Sequence, residues 1–422
     1  MLSTPKLAST AVALGLAGAA LTAAPASAHP GTHHPHPSFP SQHVLASGLL
    51  SPLRAAVAAN GTAYVSENFA GKIDRVDRRG HSTTVYTDPN GYEVGGLSLA
   101  GRNVVFTVTQ SEGEGVNLDS WLKVLTPSGH VRTIADLRTY ENRVNPDQGT
   151  TYGFRDIDPT CAAKWPTANG PATYTGAVDS HPYATYVRRD GWIYVADAGG
   201  NDVLLVSPSG HTIRTVATLP GIPLSITSDV ASGMGLDPCF VGSTYYFEPV
   251  PTDIEVGPTG TVYVTSLPGG PEGPQLGARG SVFAIGAQAT RHAFRPIAKR
   301  LGKQHGTQHG KQHGWRPWQH HGGDAASSRL ARPVVTGLTD PTGLAVTPTG
   351  TLYVAQLFGN EISKVTLGRH GATVTNAIST PTPGEVEWTP QGLYFTSNVL
   401  SGTPEDPTGN MVPSGQLIRF GR

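Results

Sequence analysis

One short passage written twice constrains this chain more than anything else in it. Residues 248–264 read EPVPTDIEVGPTGTVYV, and residues 340–354 read DPTGLAVTPTGTLYV. Each is a run that alternates in polarity, a Pro-Thr-Gly turn, and a β-branched and aromatic run, which is the pattern of two short antiparallel strands joined by a tight turn. Weaker copies lie at 54–65, 96–107, 184–195 and 385–395, with an aromatic at each equivalent place: Tyr64, Phe106, Tyr194, Tyr263, Tyr353 and Tyr394. Six copies of one unit predict a repeat protein. Two further strands follow most copies, so each unit has the size of one propeller blade. The last unit runs out of chain with three strands (386–388, 393–396, 416–420), while an unassigned strand at 43–49 resembles the fourth strand at 333–337. The sequence therefore predicts an all-β, six-bladed β-propeller closed by pairing the N-terminal strand with the last blade, which removes free sheet edges. The 52 glycines and 35 prolines suit many short strands joined by turns.

Ahead of the repeats, Lys6, an apolar small-residue run at 7–21 and Ala26-Ser27-Ala28 make the charge, core and cleavage pattern of a secretory signal over 1–28. An uncleaved membrane anchor is the alternative, but the run is short and rich in Ala and Gly. The expected product is a secreted, extracellular protein with no integral membrane segment. Residues 29–42, with His and Pro in alternation, read as a disordered arm, and 43–422 as the propeller. The formal net charge is zero, so nothing draws the chain toward nucleic acid. The two cysteines, Cys161 and Cys239, fall in irregular segments, and in an exported chain a disulfide between two long loops with little core of their own is the default. Two free thiols or half a metal site is the other option.

Five of the six long insertions (110–120, 138–180, 220–252, 267–280 and 398–414) fall between strands two and three or in the crossover to the next unit, so they build up one face of the disc. Loops on a rigid scaffold are where binding resides. The sixth, 291–332, lies on the plain face and carries HGTQHGKQHG. His305, His309 and His313 could take zinc, nickel or copper, but the interleaved glycines oppose a helix, and a hydrophilic loop with adventitious metal affinity is the plainer reading.

Aligned by their turn glycines, the copies place Arg54, Gly96, Ala184, Asp253, Gly343 and Glu385 at one level of the central channel. Ala56, Ser98, Tyr186, Glu255, Ala345 and Glu387 form a second ring two residues on. Carboxylates at Asp253, Glu255, Glu385 and Glu387 need a cation, a metal or a proton, and Arg54 adjoins Glu385. Two readings compete. A calcium-type cage, helped by Asp179, His181, Asn145 or Asp147, would stabilise the propeller or polarise a lactone or sugar carbonyl. The same groups could equally form salt bridges and turn caps. No Gly-x-Ser-x-Gly elbow, phosphate loop or His-Glu-x-x-His helix is present.

The run DSHPYA at 179–184, DPCFVG at 237–242, EPVPTDIEVG at 248–257 and Asn145-Pro146-Asp147, taken with the closing unit, resemble the ScyD/ScyE family of secreted bacterial proteins, named for a scytonemin (sunscreen pigment) gene cluster. The resemblance covers nearly the whole mature chain. It implies a six-bladed propeller related to the NHL and senescence-marker lactonase superfamilies, and it implies little chemistry. The reading that follows is a binding or scaffold protein that meets a small molecule, glycan or protein on its loop-rich face. Its rival is a metal-dependent lactonase-like hydrolase using calcium or another divalent ion at the channel mouth. A seven-unit ring holding a redox quinone is disfavoured by the count of six.

Overall fold

A strand buried on both faces needs neighbours on both sides and an apolar layer above and below, and the repeats supply both. The computed structural model describes residues 41–113, 115–270, 277–287, 331–409 and 411–421. The secretory segment, most of the arm, and His305, His309 and His313 lie outside the described residues. The described chain is all-β in architecture and forms six antiparallel sheets, five of four strands and one of seven. It is a β-propeller.

The first sheet comprises Ala55–Val57, Ala63–Glu67, Lys72–Val76 and Ser82–Thr87. The second comprises Glu93–Ala100, Asn103–Ser111, Asn117–Leu125 and Val131–Asp136. The third comprises Pro182–Val187, Ile193–Asp197, Asp202–Val206 and Ile213–Thr218. The fourth is built on Thr244–Val256, Val262–Gly269, Gly280–Ile285 and Ala331–Leu338. The fifth comprises Pro341–Val346, Leu352–Gln356, Glu361–Gly368 and Gly371–Ser379. The sixth has Val386–Thr389, Gly392–Ser397 and Gly415–Gly421, and Ser41–Leu49 lies antiparallel to the last of these, from Ser41 opposite Gly421 to Leu49 opposite Gly415. That strand starts two residues earlier than the sequence pattern predicts.

The turns explain the repeated motif. Gly260 and Gly350 sit at φ 81° and 84°, donate to the carbonyls of Gly257 and Thr347, and so close the hairpins of the fourth and fifth sheets. Only glycine reaches that region cheaply. Apolar residues on each sheet then pack on the next. One cluster joins Ile73 to Phe106, another Leu122 to Val195, another Leu205 to Phe283 and another Val282 to Val354; a fifth joins Ile362 to Phe395, and Val65 meets Leu417 between the sixth sheet and the first. The innermost strands touch in the same order, and that of the sixth sheet touches that of the first. The core therefore lies between sheets, leaving the inner strands to line the axis.

The insertions at 138–180 and 220–252 are not the coreless loops that the sequence suggests. They hold helices Leu137–Val144, Pro159–Ala162 and Ser228–Gly233, and strands Thr151–Phe154, Thr173–Thr175 and Ile222–Ser225 that extend the fourth sheet to seven. Cys161 and Cys239 are disulfide-bonded across 78 residues. The bridge sits in a satellite apolar cluster where Phe154, Trp165, Phe240, Tyr245 and Phe247 meet ring on ring. The expectation of a bridge between bare loops is thus corrected: aromatic residues from both insertions, far apart in sequence, pool into one core. Among the described residues no helix is long and apolar enough to cross a membrane.

Candidate functional site

The axis is held by one buried arginine. Arg54 leads into the innermost strand of the first sheet, where its N–H donates to Ser66 Oγ at 3.1 Å and its carbonyl accepts from the Ser66 N–H at 2.9 Å. Its guanidinium, 1% exposed, crosses the axis. Nη2 reaches Asp253 Oδ1 at 2.7 Å and Glu385 Oε2 at 2.9 Å, and Nη1 donates to the carbonyls of Thr252 and Thr342 at 3.1 and 2.8 Å. The planar fork thereby ties the first sheet to the fourth, fifth and sixth, a geometry that lysine cannot reproduce. The carboxylates are also met by backbone amides: Asp253 accepts from Ile254 and Leu344, and Glu385 from Val386. Burial opposes the charge on Arg54, but Asp253 and Glu385 overcome it and hold the guanidinium protonated.

Two carboxyl groups at the next level are not in direct contact with the guanidinium. Glu255 and Glu387 are half-buried and line a cavity of about 220 Å³ with Ala56, Ser98 and Tyr186. One guanidinium cannot balance four carboxylates. Burial, then the charge on Glu387 and Asp253, lifts Glu255 well above the carboxylate range, and burial with Asp253 nearby lifts Glu387 to about 8. Burial also raises Glu385, against the pull of Arg54.

The cavity extends from the Arg54 level along the innermost strands toward their first turns, on the plain face. On the loop-rich side, among the described residues, Leu53, Leu357, Val399 and Leu400 form a buried apolar cluster over the axis with Tyr183 and Phe358 packed against it, and Tyr183 lies against the Arg54 guanidinium at 5.4 Å. A larger groove of about 640 Å³ runs between the first two sheets past Asn60, Tyr64, Arg75 and Arg102, with no carboxylate in its wall.

Asp179, His181, Asn145 and Asp147 do not join the channel carboxylates as a cage would require. His181 Nε2 pairs with Glu93 Oε2 at 2.9 Å, and Tyr183 stands between it and Arg54. Burial opposes the imidazolium, but Glu93 prevails and raises His181 to about 9; the imidazolium in turn holds Glu93 below its usual value despite burial. Asp179 meets Arg138 at 3.6 Å and accepts from Asn117 at 3.2 Å. Asp147, fully buried, accepts from Tyr152 Oη at 3.1 Å and Asn201 Nδ2 at 2.9 Å, and Asn145, the left-handed cap of helix Leu137–Val144, donates to the Gly176 carbonyl at 3.2 Å. The physical reason is local: these four come from the second-to-third crossover and its cap, and their own neighbourhood satisfies them before they can turn inward. Glu93, Glu141, Asp197, Asn201, Asp202 and Glu248 complete this rim cluster and were not among the predicted site residues. Lining up the ends of the second strands across the repeats would have found Asp197 and Asp202.

No family model and no curated protein sequence matches the chain. Among solved structures, NHL and SMP-30-like propellers are similar in overall course. They include PQQ-bound aldose sugar dehydrogenase from Streptomyces coelicolor (15% identity, 91% of this chain and 99% of that one, TM-score 0.47). Gluconolactonase from Xanthomonas campestris (12%, 90% and 90%, 0.46) and virginiamycin B lyase from Staphylococcus aureus (13%, 84% and 80%, 0.41) are two others.

Proposed function

We propose that the chain is a secreted, ScyD/ScyE-type, six-bladed propeller, latched by Ser41–Leu49, that binds rather than transforms its ligand. The observation that carries this reading is the engagement of Asp253 and Glu385 by Arg54 and backbone amides. Carboxylates so held are unavailable to a catalytic ion, since stripping them from a buried guanidinium would cost several kcal/mol, roughly 3–5. The loop-rich face offers what a binding surface needs. Of the nine exposed large apolar side chains among the described residues, seven (Phe69, Val116, Leu118, Met234, Val241, Met411 and Val412) lie at its loops or strand ends, and such exposure marks contact surfaces. The ligand class is a small molecule, glycan or protein.

The second reading, a metal-dependent lactonase-like hydrolase using calcium or another divalent ion, draws on Glu255 and Glu387, whose raised pKa values suit acid–base work. Against it, the cavity wall contains no Asn or His to complete a metal shell. A panel of γ- and δ-lactones, assayed with Ca²⁺, Mg²⁺ or Zn²⁺, separates the two. Binding without chemistry predicts equal background rates for the wild type and Glu387→Gln. Metal-dependent turnover abolished by Glu387→Gln would overturn it.

A further inference from the structure

The third sheet departs from a pattern that the first and fifth sheets keep. Where the second strand of a sheet gives way to the third, the last residue of one stands opposite the first residue of the next. In the first sheet these are Glu67 and Lys72, an ion pair at 2.6 Å. In the fifth they are Gln356 and Glu361, joined by an amide-to-carboxylate hydrogen bond of 2.9 Å. In the third they are Asp197 and Asp202, two carboxylates each 1% exposed. Asp197 is occupied as a cap, accepting from Ser180 Oγ and from the N–H groups of His181, Gly199 and Gly200. Asp202 has no partner at either oxygen.

Its surroundings are short of donors in the same way. Glu141 Oε1, Asp147 Oδ1, Asn145 Oδ1 and Asn201 Oδ1 are buried without a hydrogen bond. The Asn201 amide donates to Asp147 at 2.9 Å and Glu248 at 3.0 Å, so its carbonyl oxygen is left over. With the two oxygens of Asp202 that makes six unpartnered buried oxygens, where a native interior tolerates few. The nearby cations are engaged, His181 by Glu93 and Arg138 by Asp179. Burial and then the charges on Asp197, Glu141 and Asp147 raise Asp202 well above the carboxylate range; burial with Asp197 and Asp147 lifts Glu141 to about 8, and burial with Glu248 lifts Asp147 to about 7 against the Asn201 hydrogen bond. Tyr140 and Tyr152, the remaining titratable groups against the cluster, stay protonated, Tyr140 because burial and then Asp202 raise it, and Tyr152 because burial and then Asp147 do.

We propose that Asp202, Glu141 and Asp147, with the amide oxygens of Asn201 and Asn145, bind a divalent cation of the calcium class at the loop-rich edge of the third sheet. Calcium takes six to eight oxygen ligands, and the donor set is oxygen throughout. Among the described residues no three Asp, Glu, His or Cys side chains are arranged to hold a metal ion as they stand, so binding requires the three carboxylates to draw together, with the amide oxygens, when the ion enters. The site is separate from the channel, and it stands or falls independently of the binding function proposed above.

The test is a thermal melt and a calorimetric titration of the full chain, stripped with EDTA and held at about pH 8, with Ca²⁺ as the probe because histidine imidazoles are poor ligands for it. The expected result is one bound ion and a melting temperature raised by about 3 °C when free Ca²⁺ is about 100-fold above Kd. Asp202→Lys, which copies the Glu67–Lys72 arrangement of the first sheet, should melt above wild type in EDTA and ignore Ca²⁺. Asp202→Asn should also ignore it, whereas Glu387→Gln in the channel should respond as wild type does. No response in wild type, an undiminished response in Asp202→Asn, or a response lost in Glu387→Gln would each overturn the site.

Discussion

Replacing Arg54 with alanine should be among the most damaging single changes in the molecule, and its cost should depend on pH. The side chain is 1% exposed and serves two carboxylates and two carbonyls on three other sheets. Removing one partner from a buried ion pair costs about 3–5 kcal/mol, and each neutral carbonyl left without its donor adds about 1 kcal/mol. Backbone amides still meet Asp253 and Glu385, so a total of about 5 kcal/mol at about pH 8 is reasonable.

The pH dependence follows from the carboxyl groups. Glu387 has its folded pKa raised to about 8, so the stability it contributes is complete below the ordinary glutamate value and is lost as pH rises through about 8. Without Arg54 the Glu385 and Glu387 carboxyls lose the cation that holds their proton affinity down and bind protons still more tightly. The variant's deficit should therefore fall by about half between about pH 8 and about pH 5, as protons replace the guanidinium. Urea unfolding followed by tryptophan fluorescence reads both quantities. Arg54→Lys should fall between alanine and wild type, because it restores the charge without the fork. A deficit under about 1 kcal/mol at about pH 8, in the range of an ordinary surface change, would refute the reasoning. So would a deficit that does not change with pH.

Three further outcomes are expected. The His181 imidazolium, raised to about 9 by Glu93, adds stability that is complete below about pH 6.5 and disappears as pH rises through about 9; in Glu93→Gln, calorimetry should find that part of the pH dependence gone, and an unchanged profile would contradict the pairing. Loss of the Cys161–Cys239 bridge releases a loop of 78 residues, worth about 4 kcal/mol by chain entropy, and Cys161→Ser should open the satellite region to protease before the sheets unfold; cleavage appearing everywhere at once would argue otherwise. Deleting Ser41–Leu49 exposes the edge of Gly415–Gly421, so the shortened chain should melt earlier and associate in size-exclusion chromatography, and a fully stable monomer would mean that the edge needs no partner.

The sheets were legible in the sequence because their signals are local and repeated. Turn glycines such as Gly260 and Gly350 fix where hairpins close, and the strands on either side alternate in plain sight. Arg54 beside Glu385 was legible for the same reason, since aligned copies place the first and last inner strands at one level. The satellite core was not. Phe154 and Trp165 come from one insertion and Phe240, Tyr245 and Phe247 from another, with the third sheet between them in sequence, so neither segment carries a periodicity that points to the other. Nor was the apolar cap over the channel, whose Leu53, Leu357 and the pair Val399 and Leu400 come from three different connections.

A repeat fold carries its own control experiment, and that control is the strongest lever on function here. Side chains that tie one sheet to the next, such as Thr107, Thr252 and Thr342, each donating to a carbonyl of the following sheet, report on assembly. A position that departs from its siblings and is compensated, as Lys72 is by Glu67, reports on local pairing. A position that departs and finds no partner, as Asp202 does, is under a demand the fold itself does not impose. Arg54 belongs with the assembly group even though it sits where a propeller's ligand would enter, because its guanidinium bonds run to other sheets. Chemistry specific to this chain is therefore to be sought on the loop-rich rim, where the third sheet and its crossover differ from the rest.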